Sequence, residues 1–517
     1  MGNNVRRGRV MWMVVMTLVC VQAFFPVPGW CAQGTRPQPG GALTVGVEED
    51  SKGFDPIKAG TLTTSARSAA MAIEERLFGL DAKGRLVPEL GLSATPSKDG
   101  KHWTVKLRRG VVFHDGTPFN ADAVVNHWAR LLDPQNRFRG YSGIEPVAKV
   151  EKIDEFAVRF NLKHPWLPFK NVIASATAIA AYIPSPKAVR EGTQDRAPVG
   201  TGPYRFKEWL PGDRLVAVKN PAYWQKGKPN LERVVFRTVP DMQTRFAGLK
   251  SGELDVILTE RGASILQAQE DTSLRVYSSE STGAETFIFN TAKPPLNDVR
   301  VRRAIAHAWN QEFYIKASYK GIIPVAHDPF GGTLACGDPG YREFSPDKAR
   351  KLIAEYGKPV NLELQVTNTP RGREFGEMVQ RMLKEIGVAV TITPLALSQR
   401  NKLVFAGDYQ MTGWTLFDNT DMGPTLYANL FSTSALNFSQ YKNPELDQLL
   451  TVAQKSTNSK ERQKALCGAA RHINDQAVFL YRGGLRYNAI AKAGVKGIDR
   501  VDHCIVRVSD LWWDGKK

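Results

Sequence analysis

Motifs of catalysis and metal binding are scarce in this chain of 517 residues. It contains no H-E-x-x-H, no G-x-S-x-G and no G-x-x-x-x-G-K-[ST] run, which excludes the usual signatures of zinc proteases, serine hydrolases and P-loop nucleotide sites. The eight histidines are scattered, with no pair four residues apart. We therefore expect no protein-only metal site, no cofactor and no enzyme activity.

Cysteine is also rare, with five in the chain. Cys20 and Cys31 lie in or beside an apolar N-terminal segment, and Cys336, Cys467 and Cys504 are widely spaced. The absence of a C-x-x-C pair removes support for a structural zinc site or a thioredoxin-like redox site. In an oxidising compartment at most one disulfide can form among the last three, which leaves one thiol free.

Long apolar runs are missing after the first 31 residues. Three arginines between positions 6 and 9 precede an apolar stretch at 10–25, and Pro26, Pro28 and Gly29 follow it. A basic start, a short apolar stretch and a small-residue exit are typical of a secretory signal peptide, here residues 1–31 with cleavage near Cys31. The sequence thus predicts an exported protein without a later membrane span.

The net charge of +18 is not concentrated in one segment of the chain. The leader holds three arginines and no acidic residue, so its removal leaves +15. The basic clusters at 106–109 and 300–303 are interrupted by apolar residues, which indicates a diffuse basic surface rather than a nucleic-acid interface. With 42% hydrophobic and 23% charged residues, the chain is typical of globular proteins, and its length predicts two or three domains.

Strand and helix patterns alternate along the chain. "AETFIFNT" and "VNLELQVTN" predict strands, each followed by a helical stripe, and the second helix is expected to stop at Gly387. "FHDG" predicts a turn before a helix capped at Asn120, and Pro211-Gly212-Asp213 predicts a hairpin. This rhythm predicts an α/β fold.

One loop combines aromatic and acidic residues without a clean helix or strand pattern. In "TGWTLFDNTDMGPTLY" (412–427), Trp414, Phe417 and Tyr427 surround Asp418 and Asp421. Such a loop indicates a functional site that contacts a ligand. By themselves the two carboxylates also allow an acid/base pair like that of a glycosidase, so a hydrolase stays open at this point.

Six segments, in order along the chain, resemble the family 5 solute-binding proteins of ABC importers, which include dipeptide, oligopeptide and nickel binders. They are "GGALTVGVEEDSKGFDP", "WTVKLRRGVVFHDGTPFNADAVV", "PVGTGPYRF", "NPAYW", "FNTAKPPLNDVRVRRAIAHAWN" and "TGWTLFDN". The resemblance implies a bilobed α/β fold of the periplasmic-binding-protein type, with two hinges and an extra subdomain (cluster C type). The hinges are expected near Phe289-Asn290 and near Tyr481.

The resemblance also implies a division of the chain. The first lobe is expected to combine three segments, with the extra subdomain inserted and the second lobe following: 40–75, 200–285 and 482–517 for the first lobe, 76–199 for the subdomain, and 286–481 for the second lobe.

The implied function is to capture a peptide or another amine-bearing solute between the lobes. The protein, as a monomer in the periplasm, would deliver this solute to permease subunits in the inner membrane. In the family, the loop after G-W enters the cleft, so Trp414 and Phe417 would line its wall. Asp418, with Asn419 beside it, would pair with the ligand ammonium group, because a buried carboxylate needs a cation or several donors.

Three further residues enter the implied site, and two alternatives remain. Phe54 in the loop 48–56 is expected to face the cleft unless it only packs there, and Arg371 and Arg373 could hold a ligand carboxylate or only solvate a helix start. A nickel-chelate or other non-peptide ligand is one alternative. A secreted hydrolase that uses Asp418 and Asp421 is the other.

Overall fold

The computed structural model describes residues 39–58, 64–81, 85–259, 261–332, 334–417, 421–499 and 505–515, together with residues 2, 37 and 501. Residues 37–517 form one compact unit by themselves. The predicted leader, apart from Gly2, lies outside the described residues, and so do Asp418, Asn419 and Cys504.

The described chain alternates strands and helices. The strands are β1 (Ala42–Val47), β2 (Glu75–Arg76), β3 (Phe78–Leu80), β4 (Leu86–Pro88), β5 (Gly91–Pro96), β6 (His102–Leu107), β7 (Val147–Asp154), β8 (Ala157–Leu162), β9 (Tyr182–Ile183), β10 (Tyr204–Leu210), β11 (Arg214–Lys219), β12 (Arg233–Thr238), β13 (Val256–Leu258), β14 (Leu274–Phe289), β15 (Val360–Thr367), β16 (Val388–Leu395), β17 (Met411–Phe417), β18 (Phe479–Lys492), β19 (Val495–Lys496) and β20 (Trp512–Trp513). The helices are α1 (Thr64–Ile73), α2 (Ala121–Leu132), α3 (Phe169–Val172), α4 (Pro186–Arg190), α5 (Met242–Ser251), α6 (Gly262–Glu270), α7 (Val299–Ala308), α8 (Gln311–Tyr319), α9 (Pro346–Tyr356), α10 (Pro370–Lys384), α11 (Leu397–Ala406), α12 (Gly423–Leu430), α13 (Pro444–Lys455) and α14 (Ser459–Asp475).

A mixed sheet of ten strands forms the frame, in the order β10-β11-β12-β1-β13-β18-β14-β17-β15-β16. β1 is parallel to β12 and β13, and β15 is parallel to β16 and β17. Separate buried cores lie on the two halves. One surrounds Leu43 and Leu511, and the other surrounds Leu364 and Val379. These cores define a first lobe on the β10–β13 half and a second lobe on the β17-β15-β16 half, so the protein is bilobed.

Two long antiparallel strands, β14 and β18, belong to both lobes and connect them. Their register shifts between Ser281 and Ala284, and again between Glu285 and Thr286. Gly283 lies at this break with φ 121°, a backbone conformation that side chains with a Cβ rarely adopt. This irregularity lies a few residues before Phe289-Asn290 and close to Tyr481 on the partner strand. The resemblance implies hinges near these two positions.

A smaller sheet, β5-β6-β8-β7, carries its own core. Helix α2 packs on it through a stripe that includes Val124, Trp128 and Leu131. The Asn120 side chain accepts hydrogen bonds from the backbone N–H groups of Asp122 and Ala123, so the cap predicted from the sequence is confirmed.

Other local predictions are confirmed as well. β10 and β11 form the expected antiparallel hairpin, and α10 is followed by Gly387 at φ 81°. The "FHDG" turn is structural, because Asp115 Oδ1 accepts a hydrogen bond from the Thr117 N–H and Oδ2 accepts one from the Ser185 hydroxyl. His114 Nε2 instead meets the Gly202 carbonyl at 2.9 Å. The two side chains thus join the turn to Ser185 and Gly202, which are distant in the sequence.

A disulfide joins Cys336 to Cys467 in the second lobe. It ties the segment before α9 to α14, and 131 residues separate the two cysteines. This is one of the three pairings that the cysteine count allowed.

Candidate functional site

A buried ion network lies where β14 and β18 pass between the lobes. Glu285 on β14 forms ion pairs with Arg482 on β18 at 3.1 Å and with Arg371 on α10 at 3.2 Å. Its Oε2 also accepts a hydrogen bond from the Tyr319 hydroxyl at 2.7 Å. Burial acts to raise the pKa of Glu285, but the two arginines outweigh it and lower the pKa from its ordinary value. Glu285 is therefore ionised and holds both guanidinium groups in place.

The two arginines proposed from the sequence have different surroundings. Arg371 lies in this network, and its guanidinium also packs over the Tyr319 ring at 5.1 Å. Arg373, two residues later, is exposed and donates a hydrogen bond to the Asn368 side chain near the start of α10. The structure thus brings Arg371 to the crossing of the lobes and leaves Arg373 at the surface.

Trp414 on β17, the strand that pairs with β14, is the centre of an aromatic cluster. Its ring lies 5.3 Å from that of Phe438 and 6.4 Å from that of Phe405, and the Arg400 guanidinium lies 5.9 Å from its centre. The strand register pairs Trp414 with Thr286. Because successive side chains of a strand point to opposite faces, the Trp414 cluster and the Glu285 network lie on opposite faces of the same strands.

Two charged groups from opposite lobes influence each other at this place. Burial and the nearby charge of Arg482 lower the pKa of Arg400, on α11 of the second lobe, to about 10, while Glu49 acts in the opposite direction. Burial and the neighbouring Glu48 raise the pKa of Glu49, just after β1 of the first lobe, to about 7, against the lowering effect of basic groups that include Arg400. Neither residue was among those proposed from the sequence.

The loop proposed as the ligand anchor is only partly described. Asp418 and Asn419 lie outside the described residues, and of Phe417 only the backbone is described, paired with Gly283. Asp421 is described: its Oδ1 accepts a hydrogen bond from the Gly423 N–H at 2.9 Å and pairs with Arg462 at 2.6 Å. Asp421 is thus held by α12 and α14, as expected for a turn residue.

Phe54 differs from the expectation that it faces the cleft. Its side chain is 1% exposed and belongs to the first-lobe core, where its ring meets that of Trp209 edge-on at 5.7 Å. In this conformation it offers no surface to a ligand. This position agrees with the packing alternative: the Phe54 N–H donates a hydrogen bond to the Asp195 carbonyl at 3.1 Å, and Asp55 accepts one from Arg130 at 2.9 Å.

The lobes also touch beyond the strand crossing. Arg139, next to the small sheet, lies over the Phe405 ring of α11 at 5.4 Å. Helix α12 packs against the short turn at Tyr141–Gly143. These contacts join the small-sheet part of the chain to α11 and α12, and Phe405 in turn contacts the Trp414 ring.

Sequence reasoning missed Glu285, Arg482, Arg400 and Glu49. A single glutamate inside the apolar strand "AETFIFN" was the available signal, because a buried carboxylate requires partners. The sequence does not say which arginines provide them, since Glu285 and Arg371 are 86 residues apart.

Among the described residues, no group of three or more His, Cys, Asp or Glu side chains is arranged to hold a metal ion. In the same part of the chain, no helix is long and apolar enough to cross a membrane.

Comparisons with known proteins agree with this architecture. The model of the bacterial extracellular solute-binding proteins, family 5 (middle), matches residues 85–438. The glutathione-binding protein GsiB of Pectobacterium atrosepticum is 29% identical over 468 residues, which cover 87% of this chain and 88% of that protein.

Two solved structures share the fold over 92% of this chain. The dipeptide-binding protein of Pseudoalteromonas sp. SM9913, in complex with Met-Leu, has a TM-score of 0.84 with 25% identity and is covered completely, 100%. DppA of Helicobacter pylori, in complex with the peptide STSA, has a TM-score of 0.84 with 24% identity and is covered to 99%. Because the family match spans more than half of the chain, the protein belongs to the family 5 bacterial extracellular solute-binding proteins, the ligand-capturing components of ABC importers.

Proposed function

We propose that this protein captures a short peptide, or another small solute with an ammonium group, between its lobes at the Trp414 cluster. The observation that supports the proposal is the position of Trp414, whose ring lies beside Arg400 of the second lobe, while Arg400 is close enough to Glu49 of the first lobe for their charges to interact. A solute placed there contacts both lobes at once. It therefore stabilises the closed state through its higher affinity for that state.

In this proposal, Asp418 pairs with the ligand ammonium group, with Asn419 beside it and Phe417 on the wall. The relatives support an amine-bearing ligand, because GsiB is named for glutathione and two structural neighbours contain peptides. Asp421 is not available as a second catalytic carboxylate, because it forms an ion pair with Arg462 and accepts a hydrogen bond from the Gly423 N–H. This supports binding without catalysis over the hydrolase alternative.

The division of the chain is also part of the proposal. The first lobe comprises 40–75, 200–285 and 482–517, the extra subdomain 76–199, and the second lobe 286–481. The separate cores support this division, since the core of the small sheet draws its fully buried members from 77–183 alone. We propose further that the protein is a monomer, works in the periplasm and docks on permease subunits of the inner membrane. Light scattering of the purified protein tests the oligomeric state, and fractionation of cells tests the location.

A thermal-shift screen tests the ligand class. Ligand at 100 times its Kd adds about 2.7 kcal/mol to the free energy of unfolding, so the melting temperature rises by several degrees. Di-, tri- and oligopeptides, glutathione, simple amines, sugars and nickel chelates form the panel. We expect shifts from peptides and none from sugars. Steady hydrolysis of the peptides, or a shift from sugars alone, contradicts the proposal.

The anchor is tested by calorimetry with the best ligand of the screen. Asp418→Ala leaves the ligand cation without its partner in a closed cleft, which costs roughly 3–5 kcal/mol, or about two to four decades of affinity. Asp408→Ala is the matched control, because Asp408 is an exposed acid of the same lobe, 72% accessible and ion-paired with Lys293. Binding of Asp418→Ala within threefold of the wild type removes Asp418 from the site.

A further inference from the structure

The extra subdomain, residues 76–199, contacts the second lobe outside the connecting strands β14 and β18. The Arg139 guanidinium lies 5.4 Å from the centre of the Phe405 ring, near the end of α11. Helix α12 packs against the short turn Tyr141–Gly143. Burial raises the pKa of Tyr427 on α12, and the nearby Glu145 carboxylate adds to this effect, which agrees with the proximity of the two segments. We refer to these contacts as the clasp.

Buried polar contacts fix the subdomain to the first lobe. Arg130 on α2 forms an ion pair with Asp55 at 2.9 Å, and Asp55 is buried. The Gln194 amide donates a hydrogen bond to Glu74 at 2.5 Å, and both side chains are buried. Separation of such groups is costly, because each would lose its partner inside the protein. The subdomain should therefore move together with the first lobe.

The clasp lies between two bodies that can rotate relative to each other. The second lobe follows β14 and precedes most of β18 in the sequence, so the chain passes between the lobes in these two strands. A rotation about them moves α11 and α12 relative to the subdomain, while contacts inside each lobe stay as they are. Contacts that exist in one state alone favour that state by their own free energy. The clasp forms where the lobes approach each other, so it stabilises the closed state.

We infer that the clasp sets how tightly and for how long the protein holds a captured solute, through the closed state and without a contact between Arg139 and the solute. The inference rests on the proposed capture between the lobes. Phe405 connects the clasp to the proposed site, because its ring lies 6.4 Å from that of Trp414. The apparent Kd increases as the closed fraction of the molecules falls, and most of such a change appears in the dissociation rate.

A double-mutant cycle on the Kd tests the inference. Calorimetry and stopped-flow dissociation with glutathione and with tri-alanine compare the wild type, Arg139→Ala, Phe405→Ala and the double variant. An exposed contact between a cation and an aromatic ring changes an equilibrium about two- to fivefold, so Arg139→Ala should raise the Kd and the dissociation rate by this factor. In the Phe405→Ala background, Arg139→Ala should have almost no further effect.

Arg109→Ala is the matched control. The Arg109 guanidinium lies 4.5 Å from the centre of the Phe156 ring, and both residues belong to the subdomain. This variant loses the same kind of contact within one body, so its Kd should equal that of the wild type. If Arg139→Ala and Arg109→Ala weaken binding equally, or if Arg139→Ala acts fully in the Phe405→Ala background, the inference is wrong.

Cross-linking tests the clasp without a solute. The variant with Arg139→Cys and Phe405→Cys is treated with a short bifunctional maleimide, and mass spectrometry of the digest identifies linked peptides. We expect a link between these two positions within one chain, and none in either single variant. Absence of the link shows that the clasp does not form, and the inference fails. If both solutes bind and Arg139→Ala leaves the Kd and the dissociation rate unchanged, the inference fails while the proposed function stands. If the link forms and neither solute binds, the proposed function fails and the inference fails with it, while the contact itself is confirmed.

Discussion

Replacement of Glu74 by glutamine should reduce the pH dependence of folding stability between pH 6.5 and 8. Glu74 follows α1, is 3% exposed, and its Oε1 accepts a hydrogen bond from Gln194 Nε2 at 2.5 Å. Burial, with the nearby charge of Asp55, raises the pKa of Glu74 to about 8, although the Gln194 hydrogen bond acts in the opposite direction. The folded protein thus keeps a proton that the unfolded chain has already lost.

The sign and the size of this change in the free energy of unfolding follow from proton linkage. Between the ordinary pKa of glutamate and about 8, the folded state binds one more proton than the unfolded state, so the free energy of unfolding falls as pH rises. The slope is 1.36 kcal/mol per pH unit, which gives about 2 kcal/mol between pH 6.5 and 8. Burial lowers the pKa of His114 and His127 to about 4, so they are neutral in the folded protein, and their effect is largely over above about pH 6.5, where an unfolded histidine also becomes neutral.

Urea unfolding at pH 6.5, 7.25 and 8 at constant ionic strength measures the effect. Glutamine keeps the acceptor for Gln194 and cannot titrate, so the stability of Glu74→Gln should fall by about 2 kcal/mol less than that of the wild type over this range. Glu374→Gln, a change at an exposed position of α10, is the matched control and should follow the wild type. If Glu74→Gln shows the wild-type slope, Glu74 is already ionised in the folded protein and the reasoning from burial is wrong.

Three other changes have defined outcomes. Glu285→Ala leaves two buried arginines without their carboxylate and should cost roughly 3–5 kcal/mol of stability in urea unfolding; a cost below about 1 kcal/mol contradicts the network. Asp421→Ala removes the contacts to Arg462 and to the start of α12, so it should lower stability by about 1–2 kcal/mol while calorimetry gives a Kd within threefold of the wild type. Replacement of Cys336 and Cys467 by serine should cost about 2–5 kcal/mol, and an equal melting temperature with and without reductant in the wild type argues against this disulfide.

The local structural features of this protein could be predicted from the sequence alone. The cap at Asn120, the end of α10 before Gly387 and the β10–β11 hairpin each depend on residues within one or two turns of chain. Helix stripes and strand alternation depend on spacing along the chain, which the sequence states directly. The ordered family motifs likewise predicted the bilobed fold, and Trp414 as a residue of the candidate site.

The charges of the site were decided only by the tertiary structure. Glu285 and Arg482 become neighbours because β14 pairs with β18, and the pairing of β14 with β17 places Trp414 beside Thr286 on the other face. The sheet order β18-β14-β17 joins strands that lie far apart in the chain. The same packing separates Arg371 from Arg373, although only one residue stands between them, since α10 turns one toward Glu285 and the other toward solvent. It also buries Phe54 in the core. Spacing along the chain fixes which face of an element is apolar, but pairing between elements depends on long-range contacts that no local pattern contains.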